Sequence, residues 1–261
     1  MKRVLAAVLV FALPAPEARA WPAALMESLA RDARRLLPRS LGVLMAQRER
    51  EILAESQRMP PELSQSLWVD LAGGRLRPAT VAALEAHAEE ALALLRDQRV
   101  SEGVVKLGAL SRIPADLSDP VLAVGPDGYP AGVTREYYAF LGASLDKIPV
   151  VLDDARALGL PSRGLPAYWQ GLLAQSRSHA PVIRTELFLN GRVVDHRSLD
   201  YRSPVFGVGS LAYSRAVTAI AATWLAFWRE AQGDLTRMPA PREVRPQEPA
   251  PDGPPPGAGQ P

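Results

Sequence analysis

Hydrophobic positions recur at three- and four-residue spacing through much of this chain. Leu25, Met26, Leu29, Ala33, Leu36 and Leu37 form one stripe, with Glu27, Ser28, Arg31, Asp32, Arg34 and Arg35 opposite, which predicts an amphipathic helix ended by Pro38. A second helix is expected over 41–57, broken by Pro60-Pro61, and a third over 79–96, rich in Ala, Leu and Glu. Further helical patterns cover 102–110, 134–145, 164–175 and 211–231, the last with Trp224 and Trp228 one turn apart. The fold class that follows is all-α, a bundle of six or seven helices. The exception falls at 182–195. There Thr185 to Leu189 and Arg192 to Val194 flank Asn190-Gly191, a pair suited to a tight turn with two positive φ angles, so one β-hairpin is expected.

The two ends read differently from the middle. Lys2 and Arg3 precede an apolar run from Val4 to Leu13 and then Ala18-Arg19-Ala20, the order of a secretory signal peptide over 1–20 with cleavage before Trp21. The run is shorter than the ~20 residues that span a bilayer, so no transmembrane segment is expected after cleavage. A helical domain over 21–238 would follow. From Pro239 the composition turns to Pro, Gly, Ala and Gln, too poor in apolar surface to offset its ordering entropy, and 239–261 is expected to be a disordered Pro-rich tail. Periplasmic or secreted placement follows, and with no cysteine such a chain must be held by packing alone.

Of 261 residues, 48% are hydrophobic and 6% aromatic. That share is ample for one core and poor in the residues that favour sheet. The formal charge is +2. Lys2, Arg3 and Arg19 against Glu17 supply all of it, which leaves the expected mature chain neutral and without the basic excess of a nucleic-acid binder. The three histidines, His87, His179 and His196, are far apart and lack metal-ligand spacing. No G-x-S-x-G elbow and no phosphate-binding Gly-Lys loop is present. Periodicity and spacing alone lead to an exported helical domain.

Three blocks carry a resemblance. Trp21 at the expected mature start, LGALSRIPADLSDPV at 107–121 and YPAGVTREYYAFL at 129–141 together resemble the zinc-dependent bacterial phospholipases C and the related trinuclear-zinc single-strand nucleases. AYSRAVTAIAATWLAFWREAQGD at 212–234 is similar to that family's closing helix. The resemblance implies an all-helical fold and metal ligands drawn from an N-terminal Trp, several His and Asp or Glu.

On the family pattern, Asp116 and Pro120 stand on retained residues, but Arg112 and Leu122 occupy the first two His positions and Asp119 replaces the usual Gln. Thr134 falls at the third His, Met26 at the fourth and Tyr138 at the Glu. Trp21 and Asp116 are the surviving ligands. Neither Met, Thr nor Leu donates as imidazole does, and zinc asks for about four N, O or S donors. The resemblance therefore implies a degenerate pocket of Trp21, Met26, Arg112, Asp116, Leu122, Thr134 and Tyr138, with no catalytic residue and no cofactor. Its role would be binding or structural, toward a lipid or an envelope protein.

The alternative is an active zinc-dependent phospholipase C or phosphodiesterase with a reduced metal site, holding one zinc on Trp21, Asp116 and an unaligned donor such as Asp70 or His87. Arg112 has two readings as well. Its permanent charge, four residues before Asp116, suits it to replace a metal as partner of that carboxylate, or it is a solvated surface residue. Pro114 between them is expected to kink or end the helix.

Overall fold

Six of the ten described helices begin at or beside a proline, whose missing N–H has no helical partner to lose there. The computed structural model describes residues 21–125 and 128–238, so the expected leader (1–20) and Pro-rich tail (239–261) lie outside the described residues. In chain order the described helices are α1 (Ala23–Arg34), α2 (Arg39–Gln47), α3 (Glu49–Ser56), α4 (Pro61–Gly73), α5 (Pro78–Arg96) and α6 (Val100–Ala109). They continue with α7 (Arg112–Leu117), α8 (Val133–Ala143), α9 (Leu165–Leu187) and α10 (Pro204–Glu230). Between α9 and α10 lies one antiparallel hairpin, β1 (Phe188–Leu189) with β2 (Arg192–Val193), pairing Phe188 with Val193 and Leu189 with Arg192. The fold is all-α with one small hairpin.

The centre is α10. Every residue from Ala216 through Trp228 is buried, and α1, α5, α6, α7, α8 and α9 all pack against this helix. It is long and apolar enough to cross a membrane by composition, but about two thirds of its most apolar window is buried inside the fold. Small residues make the close wrapping possible, since Ala216, Ala219, Ala221, Ala222 and Ala226 let neighbouring backbones approach while Trp224 and Phe227 fill the gaps.

Several elements differ from the sequence-based expectation. The segment expected as one helix over 41–57 is two, α2 and α3, which meet at Arg48 in a non-helical conformation (φ −113°, ψ 16°). Pro60-Pro61, expected only to break a helix, starts one: Pro61 falls within the first turn of α4, where its missing N–H has no helical partner to lose. The first strand expected at Thr185 to Leu189 is mostly helix. α9 runs through Pro181 to Leu187, held by the buried stripe Ala180, Ile183 and Leu187, and each strand of the hairpin is two residues long. Its turn is as expected, with Asn190 at φ 50° and Gly191 at φ 75°.

One junction fixes the helices that carry the candidate site. Gly74 caps α4 at φ 73°, and a Cβ there would collide with the Arg177 guanidinium. That guanidinium, projecting from α9, donates to the carbonyls of Leu71, Ala72 and Ala123 at 3.2, 2.9 and 2.5 Å. It thereby ties the end of α4 and the short 3-10 turn Leu122–Val124 to α9. From the same helix, Ser176 donates to the Leu117 carbonyl at 2.8 Å and closes α7 against α9.

Candidate functional site

Trp21 comes immediately before α1, and burial of its indole brings the start of the described chain to α7. The ring N–H donates to the Ala115 carbonyl at 2.9 Å. The indole faces Tyr138 of α8 with ring centroids 6.3 Å apart and meets Tyr213 of α10 edge-on at 6.4 Å. Residues from three distant stretches therefore gather beside α7.

On α7, Arg112 and Asp116 stand one turn apart on the same face. The Arg112 Nε lies 2.8 Å from both carboxylate oxygens of Asp116. The expected interruption at Pro114 does not occur. α7 begins at Arg112, so Pro114 sits in the first turn, where its amide would have no intrahelical acceptor. Asp116 is buried and the Arg112 side chain is 24% exposed, which favours a buried-carboxylate partner over a solvated surface arginine. Burial pushes the Asp116 carboxyl above its ordinary range and the guanidinium holds it back, while Asp116 raises the arginine further.

A second carboxylate lies three residues on, and sequence reasoning registered it only as a departure from a family Gln. Asp119 is fully buried. Its Oδ1 accepts the Val121 N–H at 2.8 Å and its Oδ2 accepts the Tyr138 hydroxyl at 2.5 Å. Burial pushes its pKa up to about 7, against the lowering effect of those two bonds, and the Asp116 charge adds to the rise. Of the two buried carboxyl groups, Asp116 takes the guanidinium, and Asp119 relies on a phenol and a proton. The D-x-x-D spacing inside the apolar run IPADLSDPVLAV was the available signal.

Of the remaining aligned positions, two are core residues. Met26 is buried on α1, Leu122 is buried in the 3-10 turn, and both belong to the single hydrophobic core that also contains Trp21 and Tyr138. Thr134 is half-buried in the first turn of α8, and no side-chain hydrogen bond ties it to Trp21 or Asp116 among the described residues. At Met26 and Leu122 the expected pocket positions carry packed core side chains.

Two surface clefts lie elsewhere. One of about 680 Å³ is lined by Arg39, Ser40, Val43, Leu44, Asp234 and Arg237. The other, between Ser118, Ser176, His179 and Arg215, has no appreciable volume.

The unaligned donors considered for a residual zinc have other partners. Asp70, buried on α4, accepts the Arg77 backbone N–H at 2.7 Å and pairs with the Arg77 side chain. His87 on α5 lies 3.8 Å from Glu90, with its pKa lowered by burial. His179 is within α9, where its Nδ1 is 2.7 Å from the Gln175 carbonyl.

A different group brings metal-type donors together, and no sequence spacing announced it. Glu136 of α8 lies against Asp195 and His196, sixty residues on, with one donor atom of each within 4.8 Å of the others. The His196 Nδ1 is 2.7 Å from Glu136 Oε2 and 3.5 Å from Asp195 Oδ1. Hydrogen bonds from the His196 ring and backbone, joined by Arg135, hold the Glu136 carboxyl down at about 2.

Comparison with protein-family models, with curated proteins and with solved structures finds no match.

Proposed function

We propose that this chain is an exported relative of the zinc-dependent phospholipases C and single-strand nucleases that has given up their phosphodiester chemistry and acts as a binding or structural domain of the cell envelope. The observation that carries the reading is the convergence of Trp21, Asp116 and Tyr138, over a hundred residues of sequence, with Arg112 from the first His position on both oxygens of Asp116.

In a metal-dependent phosphodiesterase the cation does two things. It lowers the pKa of a bound water to supply hydroxide, and it stabilises charge developing on phosphorus. A guanidinium supplies only the second, because it has no open coordination position and stays protonated in proteins. At the aligned positions Met26, Leu122 and Thr134 add no imidazole to Trp21 and Asp116. The donor set therefore does not fit a zinc cluster. What Arg112 does supply is neutralisation of a carboxylate that the fold keeps buried.

The test is turnover. Mature protein supplied with zinc is expected to hydrolyse neither phosphatidylcholine nor single-stranded DNA. Chelator-sensitive hydrolysis of either, abolished by Asp116→Asn, would overturn the reading and support the reduced-site enzyme.

A further inference from the structure

We propose that Glu136, Asp195 and His196 form a site for one divalent transition-metal ion of the zinc type, separate from the aligned family positions. The donors come from the first turn of α8 and from the 3-10 turn His196–Ser198, which follows the hairpin. One imidazole nitrogen and two carboxylates form a mixed N/O set. Zinc and its neighbours accept such sets, whereas calcium and magnesium favour oxygen alone. Three protein donors plus water complete the coordination of an ion that keeps one side open to solvent.

The spacing is close to what the ion requires. Donors around tetrahedral zinc stand about 3.3 Å apart, given bonds of ~2.0–2.1 Å. The distances from His196 Nδ1, 2.7 Å to Glu136 and 3.5 Å to Asp195, bracket that value. In this geometry the metal takes the place of the His196–Glu136 hydrogen bond.

Both carboxylates are also held by further partners, as metal ligands are. The His196 backbone N–H reaches Glu136 Oε2 at 3.2 Å, and the Arg135 guanidinium holds the other oxygen, Oε1, at 2.9 Å. Asp195 caps its own turn by accepting the Arg197 N–H at 2.9 Å on Oδ1. Glu136 and His196 side chains are 12% and 23% exposed and Asp195 is 62% exposed, so two donors are largely shielded while the third faces water. The hairpin beside them has a fixed seat: Val193 packs against Gly132, the residue before α8. Among the described residues, the ion-pair partner of these two carboxylates besides His196 is Arg135, whose side chain is 79% exposed and well screened by solvent. A divalent cation supplies the missing positive charge.

The experiment is a calorimetric zinc titration of the full mature chain after chelator treatment, with thermal unfolding recorded with and without zinc. One ion per chain at micromolar affinity is expected. His196→Ala and Glu136→Gln should each weaken binding roughly tenfold or more, and zinc should raise the melting temperature of the parent but not of His196→Ala. Asp116→Asn should leave the binding unchanged, which keeps this site distinct from the aligned one whatever becomes of the functional reading. Absence of saturable binding below millimolar zinc, binding unaffected by His196→Ala, or binding lost in Asp116→Asn, the variants in both cases showing parental circular dichroism, would each overturn the proposal.

Discussion

Arg112 reaches both carboxylate oxygens of Asp116 from one turn up the same short helix, at 2.8 Å to each. Removing one member of a buried pair strands the other charge, at a typical cost of ~3–5 kcal/mol, against ~0–1 for an exposed pair. Arg112→Ala is expected to destabilise within the larger range by urea unfolding, and the double change with Asp116→Ala to recover part of the loss. A single variant within about 0.5 kcal/mol of the parent would mark Arg112 as an ordinary surface residue.

Asp119 gives stability a pH dependence with a definite direction. Its carboxyl rises from 3.8 to about 7 on folding, so between those values the folded chain holds a proton that the unfolded chain has released. The stabilisation is complete below about pH 4 and is lost as pH rises through about 7, by at most ~4 kcal/mol. The groups that face this carboxyl are Tyr138, Tyr129, Tyr137 and the Asp116 and Arg112 side chains. Asp119→Asn is expected to flatten most of the slope, measured as the urea midpoint between pH 5 and pH 8, while a slope of the same size in the variant would place its origin elsewhere.

The proposed export, with cleavage before Trp21, makes a prediction about mass. Intact-mass analysis of protein recovered from the periplasm or medium is expected to show a chain starting at Trp21, with its indole N–H available for the Ala115 carbonyl. A start elsewhere would remove the strongest link to the phospholipase C-like family.

The parts of the fold visible in the sequence are those where one local signal dominates. The stripe from Leu25 to Ala33 faces the core of α1, and Asn190-Gly191 turns the hairpin. Misreadings came where a residue has two opposite uses. Pro61 and Pro114 stop a helix from inside and suit it at its start, and only the register of the neighbouring turns decides which applies. Val182, Ile183 and Thr185 favour strand by type, but burial of Ile183 and Leu187 on one face overrides that preference. In the candidate site, Arg112 with Asp116 was legible because i, i+4 spacing is local. The Asp119 bond to Tyr138 and the meeting of Glu136 with His196 were not, since each depends on how helices pack.

The enclosure of α10 bears on how the molecule assembles. Six helices, all earlier in the sequence, lay their apolar faces on this last described helix, so none of them completes its burial until α10 has been synthesised and seated. Contacts between α1 and α10 join residues about 180 positions apart, and Tyr213 closes that span by donating to Asp32 at 2.9 Å. Loop closure on this scale comes late and slowly. The chain up to residue 203 accordingly emerges with the core faces of those six helices uncovered, a state in which aggregation competes with folding.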